Sequence, residues 1–183
     1  MGVFYTGKGD QGSSLVGKRK IKKTNPFVQA LGELDELNST IGVVKAENSR
    51  LRKVLHEVQE CLFIIQANLA YVMLKEKREP PRFSAAKTAA LEAIVDRIEK
   101  KLKSPRGFVI SGATKTSAWL DMLRARSRRV ERSVVAACYD KKGNPLINPD
   151  IFPYLNRLSS LFFALARDQA HRAGKKEQHP KYK

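Results

Sequence analysis

The strongest constraint on this chain is one apolar stripe. Leu51, Val54, Leu55, Val58, Leu62, Ile65, Leu69, Val72 and Met73 recur at three- and four-residue steps. That spacing places side chains along one side of a 3.6-residue helix, whereas a half-buried strand needs alternation at every second residue. A helix with one apolar face must bury that face against another element. The rest of the chain has to supply the cover.

Four further segments carry helical signals. Pro26 suits a first helical turn, where a missing N–H costs nothing, and the pattern predicts a helix over 26–46. The Pro80-Pro81 pair predicts the end of the striped helix. Ser84 is a fitting N-cap for a third helix carrying Leu91, Ile94, Val95, Ile98 and Leu102, with Ser104, Pro105 and Gly107 closing it. A short apolar stretch at 108–110 leads through Ser111, Gly112, Ala113 and Thr114 into a fourth helix over 115–139, which Lys142, Gly143, Asn144 and Pro145 stop. A fifth is predicted over 150–172, with Leu155, Leu158, Leu161, Phe162 and Leu165 apolar. Residues 1–25, with Gly7, Gly9, Gly12 and Gly17, read as a loop or arm without a strand pair. Residues 173–183 read as a disordered tail. Five helices with short connections predict an all-α, up-and-down five-helix bundle over 26–172, in a single domain.

Composition narrows the class. A chain of 183 residues with 42% hydrophobic content can bury a core as one domain. No run reaches the roughly 18 apolar residues a membrane helix needs, and the first ten residues lack the apolar centre of a secretory signal, so the expected location is cytoplasmic. Cys61 and Cys138 sit inside apolar helical patterns without CxxC spacing and read as buried free thiols. His56, His171 and His179 also lack ligand spacing, so no metal site of the protein's own is expected. The formal charge of +17, with pI near 10.1, favours polyanions in general: nucleic acid, anionic lipid or nucleoside triphosphate. Much of the excess falls in lysine runs around Lys20 and Lys23, and again at Lys175, Lys176, Lys181 and Lys183, which suit solvated surface.

Two segments bear on anion chemistry. The first runs Thr6, Gly7, Lys8, Gly9, Asp10, Gln11, Gly12, Ser13, Ser14. Glycines let successive backbone N–H groups approach and point at an anion. The Ser13 and Ser14 hydroxyls suit phosphate or magnesium. The spacing mimics part of a Walker A loop but lacks the lysine before the final serine and the strand-to-helix setting. An arm of turn residues fits the same segment. The second is the fourth helix, with Arg124, Arg126, Arg128, Arg129, Glu131 and Arg132. Arg124, Arg128, Glu131 and Arg132 share one face, Arg129 lies on its shoulder, and Arg126 points away. Like charges four residues apart repel, which favours an anion against that face. Guanidinium groups offer forked donors that match phosphate. A solvated basic face, or pairing with Asp35 and Glu36 of the first helix, accounts for the same pattern.

These segments, in this order, resemble the PduO-type ATP:cob(I)alamin adenosyltransferases. The matching pieces are the loop from Thr6 to Ser14, the Gly32-Glu33-Leu34-Asp35-Glu36-Leu37-Asn38-Ser39 run, the Arg124/Arg128-Arg129-x-Glu131-Arg132 helix, and Tyr154-Leu155-Asn156-Arg157-Leu158-Ser159. The resemblance implies a five-helix bundle of ferritin-like type, assembled as a homotrimer with active sites between subunits. By the same resemblance, Thr6, Gly9, Asp10, Gly12, Ser13 and Ser14 wrap the triphosphate of Mg2+-bearing ATP, aided by Lys23, with Ser14 a candidate magnesium contact. Arg128 and Glu131 also bind ATP, and Asn156 holds the nucleotide. Asp35 and Arg124 match the pair that bridges subunits at the site. Phe108 matches the aromatic that drives off the lower axial base of the corrinoid. The implied reaction is attack of cob(I)alamin on the ribose C5′ of ATP, expelling triphosphate. A flavoprotein reductase is the implied electron donor.

Four positions depart from that family pattern. Gly7 stands where Arg or Lys is usual, Ser111-Gly112-Ala113 replaces Pro-Gly-Gly, Asp121 replaces a histidine, and Trp119 is bulkier than expected. Apart from Gly7, in the phosphate loop, they lie on the corrinoid side, and the altered segment from Ser111 to Trp119 leaves an alternative: an ATP-binding regulatory relative that has lost corrinoid adenosylation. A nucleic-acid-binding bundle has only the net charge in its favour, since no nucleic-acid motif is present.

Overall fold

In a computed structural model, which describes residues 4, 5, 7–17, 19–102 and 107–182, five helices make up most of the chain. Helix α1 (Pro26–Glu47) opens with Pro26 in the first turn and Asn25 as the cap, its Oδ1 accepting from the Phe27 amide at 2.9 Å. Helix α2 (Arg52–Leu74) buries its stripe: Leu55, Leu62, Ile65 and Leu69 are wholly inaccessible. Each such side chain is worth roughly 1.5–3 kcal/mol removed from water.

The end of α2 differs from the expectation. Lys75 enters the left-handed region at φ 55°, and the Glu76 amide returns to the Tyr71 carbonyl at 3.0 Å. That closure satisfies terminal carbonyls and stops the helix before Pro80 and Pro81. The prolines instead shape the return: the buried Asn68 Nδ2 donates to the Pro81 carbonyl at 3.0 Å. Helix α3 spans Ala86–Leu102. Helix α4 (Lys115–Cys138) carries a reciprocal cap, in which Thr114 Oγ1 accepts from the Ser117 amide at 3.0 Å while Ser117 Oγ accepts from the Thr114 amide at 2.8 Å. Helix α5 is Ile151–Arg172.

Packing is not in simple chain order. Helix α4 lies between α1 and α5; α2 covers the other side of α1, and α3 the other side of α5. One apolar cluster joins all five helices, with Leu34, Leu62, Leu120, Leu155, Leu158 and Phe162 fully buried. Tyr154 sits in it edge-on to Phe83, ring centroids 5.2 Å apart. Among the described residues, no helix is long and apolar enough to cross a membrane.

Two expectations about the termini are corrected. Within the supposed loop, β1 (Ser13–Val16) and β2 (Arg19–Lys22) pair antiparallel, Ser13 opposite Lys22 and Val16 opposite Arg19. Strands of four residues each are too short to show a clear alternation; the turn glycine Gly17, at φ 57°, was the available signal. The tail read as disordered returns to the body. The Ile110 amide donates to the Gln178 carbonyl at 2.8 Å, and Glu177 ion-pairs with Arg167. Its polar composition disguised a partner: a buried arginine in need of a second carboxylate.

Candidate active site

Because α4 is flanked by α1 and α5, its arginines meet two different neighbours. On the α1 side, Arg126 Nη1 contacts Glu36 Oε1 at 2.7 Å and donates to Thr40 Oγ1 at 3.0 Å. Arg129 also pairs with Glu36, and its Nε lies 3.9 Å from Glu33. Ser133 donates to Glu33 at 2.6 Å. The expected pairing with the first helix therefore holds for Glu36 but engages the arginines off the main face. Asp35 is exposed and, among the described residues, makes no hydrogen bond or ion pair.

The other face stays open. Arg124 has only Asp121, at 3.9 Å, and Arg128 and Arg132 are exposed without an ion pair among the described residues. Glu131 accepts from Asn156 Nδ2 at 2.7 Å, and Asn156 Oδ1 accepts from Arg157 Nη1 at 3.0 Å. Arg157 is in turn fixed by Glu92 at 2.7 Å. This chain of contacts orients the Asn156 amide and holds Glu131 away from the adjacent guanidiniums. The predicted nucleotide ligands Glu131 and Asn156 are thus direct neighbours.

Arg124 and Arg128 line a cleft of about 510 Å³ between α3, α4 and α5, shared with Phe108, Ser159, Ser160 and Phe163. Val95, Ile98 and Leu102 supply its apolar wall, so one cavity holds both cationic and apolar lining. Phe108 is 77% exposed, and its ring stands beside the apolar wall of the cleft. The cleft floor holds a pair that sequence reasoning missed: Arg167 Nη2 donates to Asp121 Oδ2 at 2.8 Å, both side chains 5% exposed. The signal was present, for Arg167 and Asp168 follow Ala164-Leu165-Ala166 in a stretch of α5 that is buried all round.

The glycine segment lies elsewhere on the surface. Gly7 and Gly12 have φ of 65° and 74°, a region in which side-chain-bearing residues are strained, so glycine is required at both. The Lys23 amide donates to the Gly12 carbonyl at 2.9 Å, and a Cβ on Gly9 would stand 3.6 Å from Lys23 Nζ. Lys23 is thus held beside Gly9, with Asp10, Ser13 and Ser14 on the same turn and strand. Gly17 leans on α2, where a Cβ would meet Leu74 Cδ1 at 3.6 Å. Thr6 lies outside the described residues. The site residues therefore fall into two groups, the hairpin base and the α4–α5 face, with Asp35 apart on α1.

The chain is similar to proteins of known class. Corrinoid adenosyltransferase PduO of Citrobacter freundii is 33% identical over 174 residues, covering 93% of this chain but 51% of that protein. The chain thus spans about half the length of that relative. A second Citrobacter freundii corrinoid adenosyltransferase is 35% identical over 168 residues, 90% of this chain and 93% of the relative. A solved PduO-type ATP:corrinoid adenosyltransferase from Lactobacillus reuteri, a phenylalanine-to-alanine variant complexed with cobalamin and ATP, superposes with a TM-score of 0.87 at 30% identity, over 98% of this chain and 99% of that one. The cobalamin adenosyltransferase family model matches residues 4–169, and this chain belongs to that family.

Proposed function

We propose that the chain transfers the 5′-deoxyadenosyl group of ATP to the cobalt of cob(I)alamin or a related reduced corrinoid and releases triphosphate. The observation that carries this reading is the shared cleft: the exposed Arg128 guanidinium and Arg124, held only by Asp121 at 3.9 Å, beside an exposed Phe108 and an apolar wall. A polyanionic leaving group needs the first, and a corrinoid face needs the second.

In this reaction the C5′–O5′ bond of ATP breaks as the cobalt–carbon bond forms, and the electron pair leaves on the triphosphate oxygen. The protein needs no nucleophile of its own. Its work is to neutralise charge that grows on the leaving group and to hold two reactants in line. Arg128, Arg132 and the backbone around Gly7–Gly12 supply donors; Asn156, fixed by Glu131 and Arg157, supplies an oriented amide for the nucleoside. The wedge of Phe108 favours a corrinoid without its lower base, a form whose cobalt is easier to reduce. Mg2+ would arrive with the ATP phosphates and take Ser14 as a protein contact, lowering the charge on the leaving group.

The separation of the hairpin base from the α4–α5 face supports sites completed by a second copy in a homotrimer. The unpartnered Asp35 is then available to Arg124 of a neighbouring copy. A flavoprotein reductase would deliver the electron, and the setting is cytoplasmic. The test is incubation of the folded protein with Mg-ATP and chemically reduced cobalamin, reading adenosylcobalamin by its absorbance change on photolysis. Absence of product with several corrinoids, alongside measurable ATP binding by calorimetry, overturns the transferase reading in favour of an ATP-binding relative.

A further inference from the structure

The C-terminal segment bears directly on the cleft. Residues 107–113, which carry Phe108, contain no helix or strand of their own. Among the described residues, the hydrogen bonds tying this stretch to another part of the chain both come from the tail. The Ile110 amide donates to the Gln178 carbonyl at 2.8 Å, and His179 Nδ1 meets the Phe108 carbonyl oxygen at 2.8 Å. A carbonyl only accepts, so the His179 Nδ1 carries the proton.

The tail is itself anchored in the cleft floor. Glu177, 16% exposed, ion-pairs with Arg167 Nε, while the neighbouring Nη2 of the same guanidinium donates to Asp121. Arg167 also stacks over Phe163, its Cζ 4.6 Å from the ring centroid. A buried guanidinium needs carboxylate or hydrogen-bond partners, and Asp121 and Glu177 supply them here. Asp121, Arg167 and Phe163 all line the cleft that Phe108 overhangs. One end of the strap is thus fixed to the floor and the other to the backbone of the aromatic.

We propose that residues 177–179 form a positioning strap that sets Phe108 against the corrinoid, with Glu177 as its anchor and His179 as its clasp. The proposal rests on the corrinoid reading of the cleft for its catalytic consequence, though the strap itself can be tested without catalysis. Phe108 is 77% exposed, so packing constrains its ring little and the hold on its backbone sets its position.

The experiment uses full-length His179→Ala, His179→Gln and Glu177→Gln proteins. Loss of one such hydrogen bond speeds amide exchange of the 107–113 peptide by about fivefold in His179→Ala. With Mg-ATP and cob(II)alamin, the base-off fraction read by electron paramagnetic resonance falls, and turnover on the corrinoid drops by about the same factor. ATP affinity stays unchanged in all three variants. His179→Gln, whose side-chain amide can donate to the same carbonyl, recovers most of the loss. Unchanged exchange in both His179→Ala and Glu177→Gln overturns the strap. So does a parallel fall in ATP affinity, which would mark general damage to the fold. If the wild-type protein makes no adenosylcobalamin, the transferase reading fails, and the exchange arm still decides whether the strap exists.

Discussion

Replacing Arg128 with alanine separates binding from stability, because the structure gives this residue no internal partner. Arg128 is exposed on α4, without an ion pair among the described residues, and stands four residues from both Arg124 and Arg132. Each like-charge pair at that spacing costs a helix roughly 0.2–0.5 kcal/mol, and alanine has the best helix propensity. Arg128→Ala is therefore expected to leave unfolding free energy within roughly 0.5 kcal/mol of the wild type, or to raise it slightly. Its effect on ATP runs the other way. Charge-assisted hydrogen bonds to a phosphate are worth about 1.5–3 kcal/mol, which corresponds to about 10- to 150-fold in affinity. Arg128→Lys keeps the charge but loses the forked donors, so it should fall between the two. Calorimetric titration of Mg-ATP at low and moderate salt, with thermal unfolding on the same samples, reads both quantities. An ATP affinity changed by less than about threefold, or a melting temperature lowered by more than about 4 °C, would refute an anion-receiving role for this face.

Other perturbations probe separate parts of the structure. Asp121→Ala leaves the buried Arg167 with Glu177 alone and should lower stability by about 3 kcal/mol in urea unfolding; a loss under about 1 kcal/mol would mean the pair is not desolvated. Burial pushes the Cys138 thiol up to about 12, so folded protein at pH 8 should resist iodoacetamide at that site while unfolded protein reacts; mass spectrometry of the alkylated peptide decides. Asp140 accepts from the Asn144 amide at 2.8 Å and from its side chain at 3.1 Å, then from the Lys142 amide, and these bonds hold its carboxyl below the usual aspartate value. A depressed native pKa stabilises the fold above the unfolded aspartate pKa, near 3.9, and that stability disappears as pH falls through the native value. Thermal unfolding of Asp140→Asn should therefore show a deficit at pH 7 that closes at strongly acidic pH; a constant deficit would contradict the assignment.

The legible parts of the sequence were those in which local pattern and tertiary demand agree. The α2 stripe and the apolar face of α5 both lie where their periodicity places them, since a long helix fixes which side chains share a face. Where the helices end was less legible. Lys75, not a proline, closes α2, because a left-handed residue with a returning amide leaves little trace in composition. The hairpin at 13–22 escaped for a related reason: two four-residue strands, with Leu15, Val16 and Ile21 as their apolar residues, are too short for a regular alternation. The tail at 174–182 escaped because what holds it, Arg167, lies on another element and shows its need for a carboxylate only once buried. Of the candidate site, the chemical types were readable and their grouping was not. Glu131 and Asn156 are 25 residues apart, and only the packing of α4 on α5 brings them to 2.7 Å.

That packing also explains how a chain of formal charge +17 focuses its charge at one place. Net charge alone spreads attraction over the whole surface and selects no anion. On α4 the arginines follow one another within a few residues, yet their surroundings divide them. Helix α1 presents Glu33 and Glu36, which neutralise Arg126 and Arg129. Helix α5 presents Asn156, Ser159 and Ser160 to the opposite side. Two acids there are already committed, Glu131 to Asn156 and Asp121 chiefly to Arg167. Among the described residues the guanidiniums of Arg128 and Arg132 are left without a carboxylate, and that of Arg124 with only Asp121 at 3.9 Å, by the placement of acids on neighbouring helices. Moving one acid tests this: Ser159→Glu adds a carboxylate to the cleft while leaving α4 unaltered. ATP affinity should fall, with a smaller salt dependence, although no arginine has been touched. If affinity survives that substitution, the open arginine face is not where the triphosphate binds.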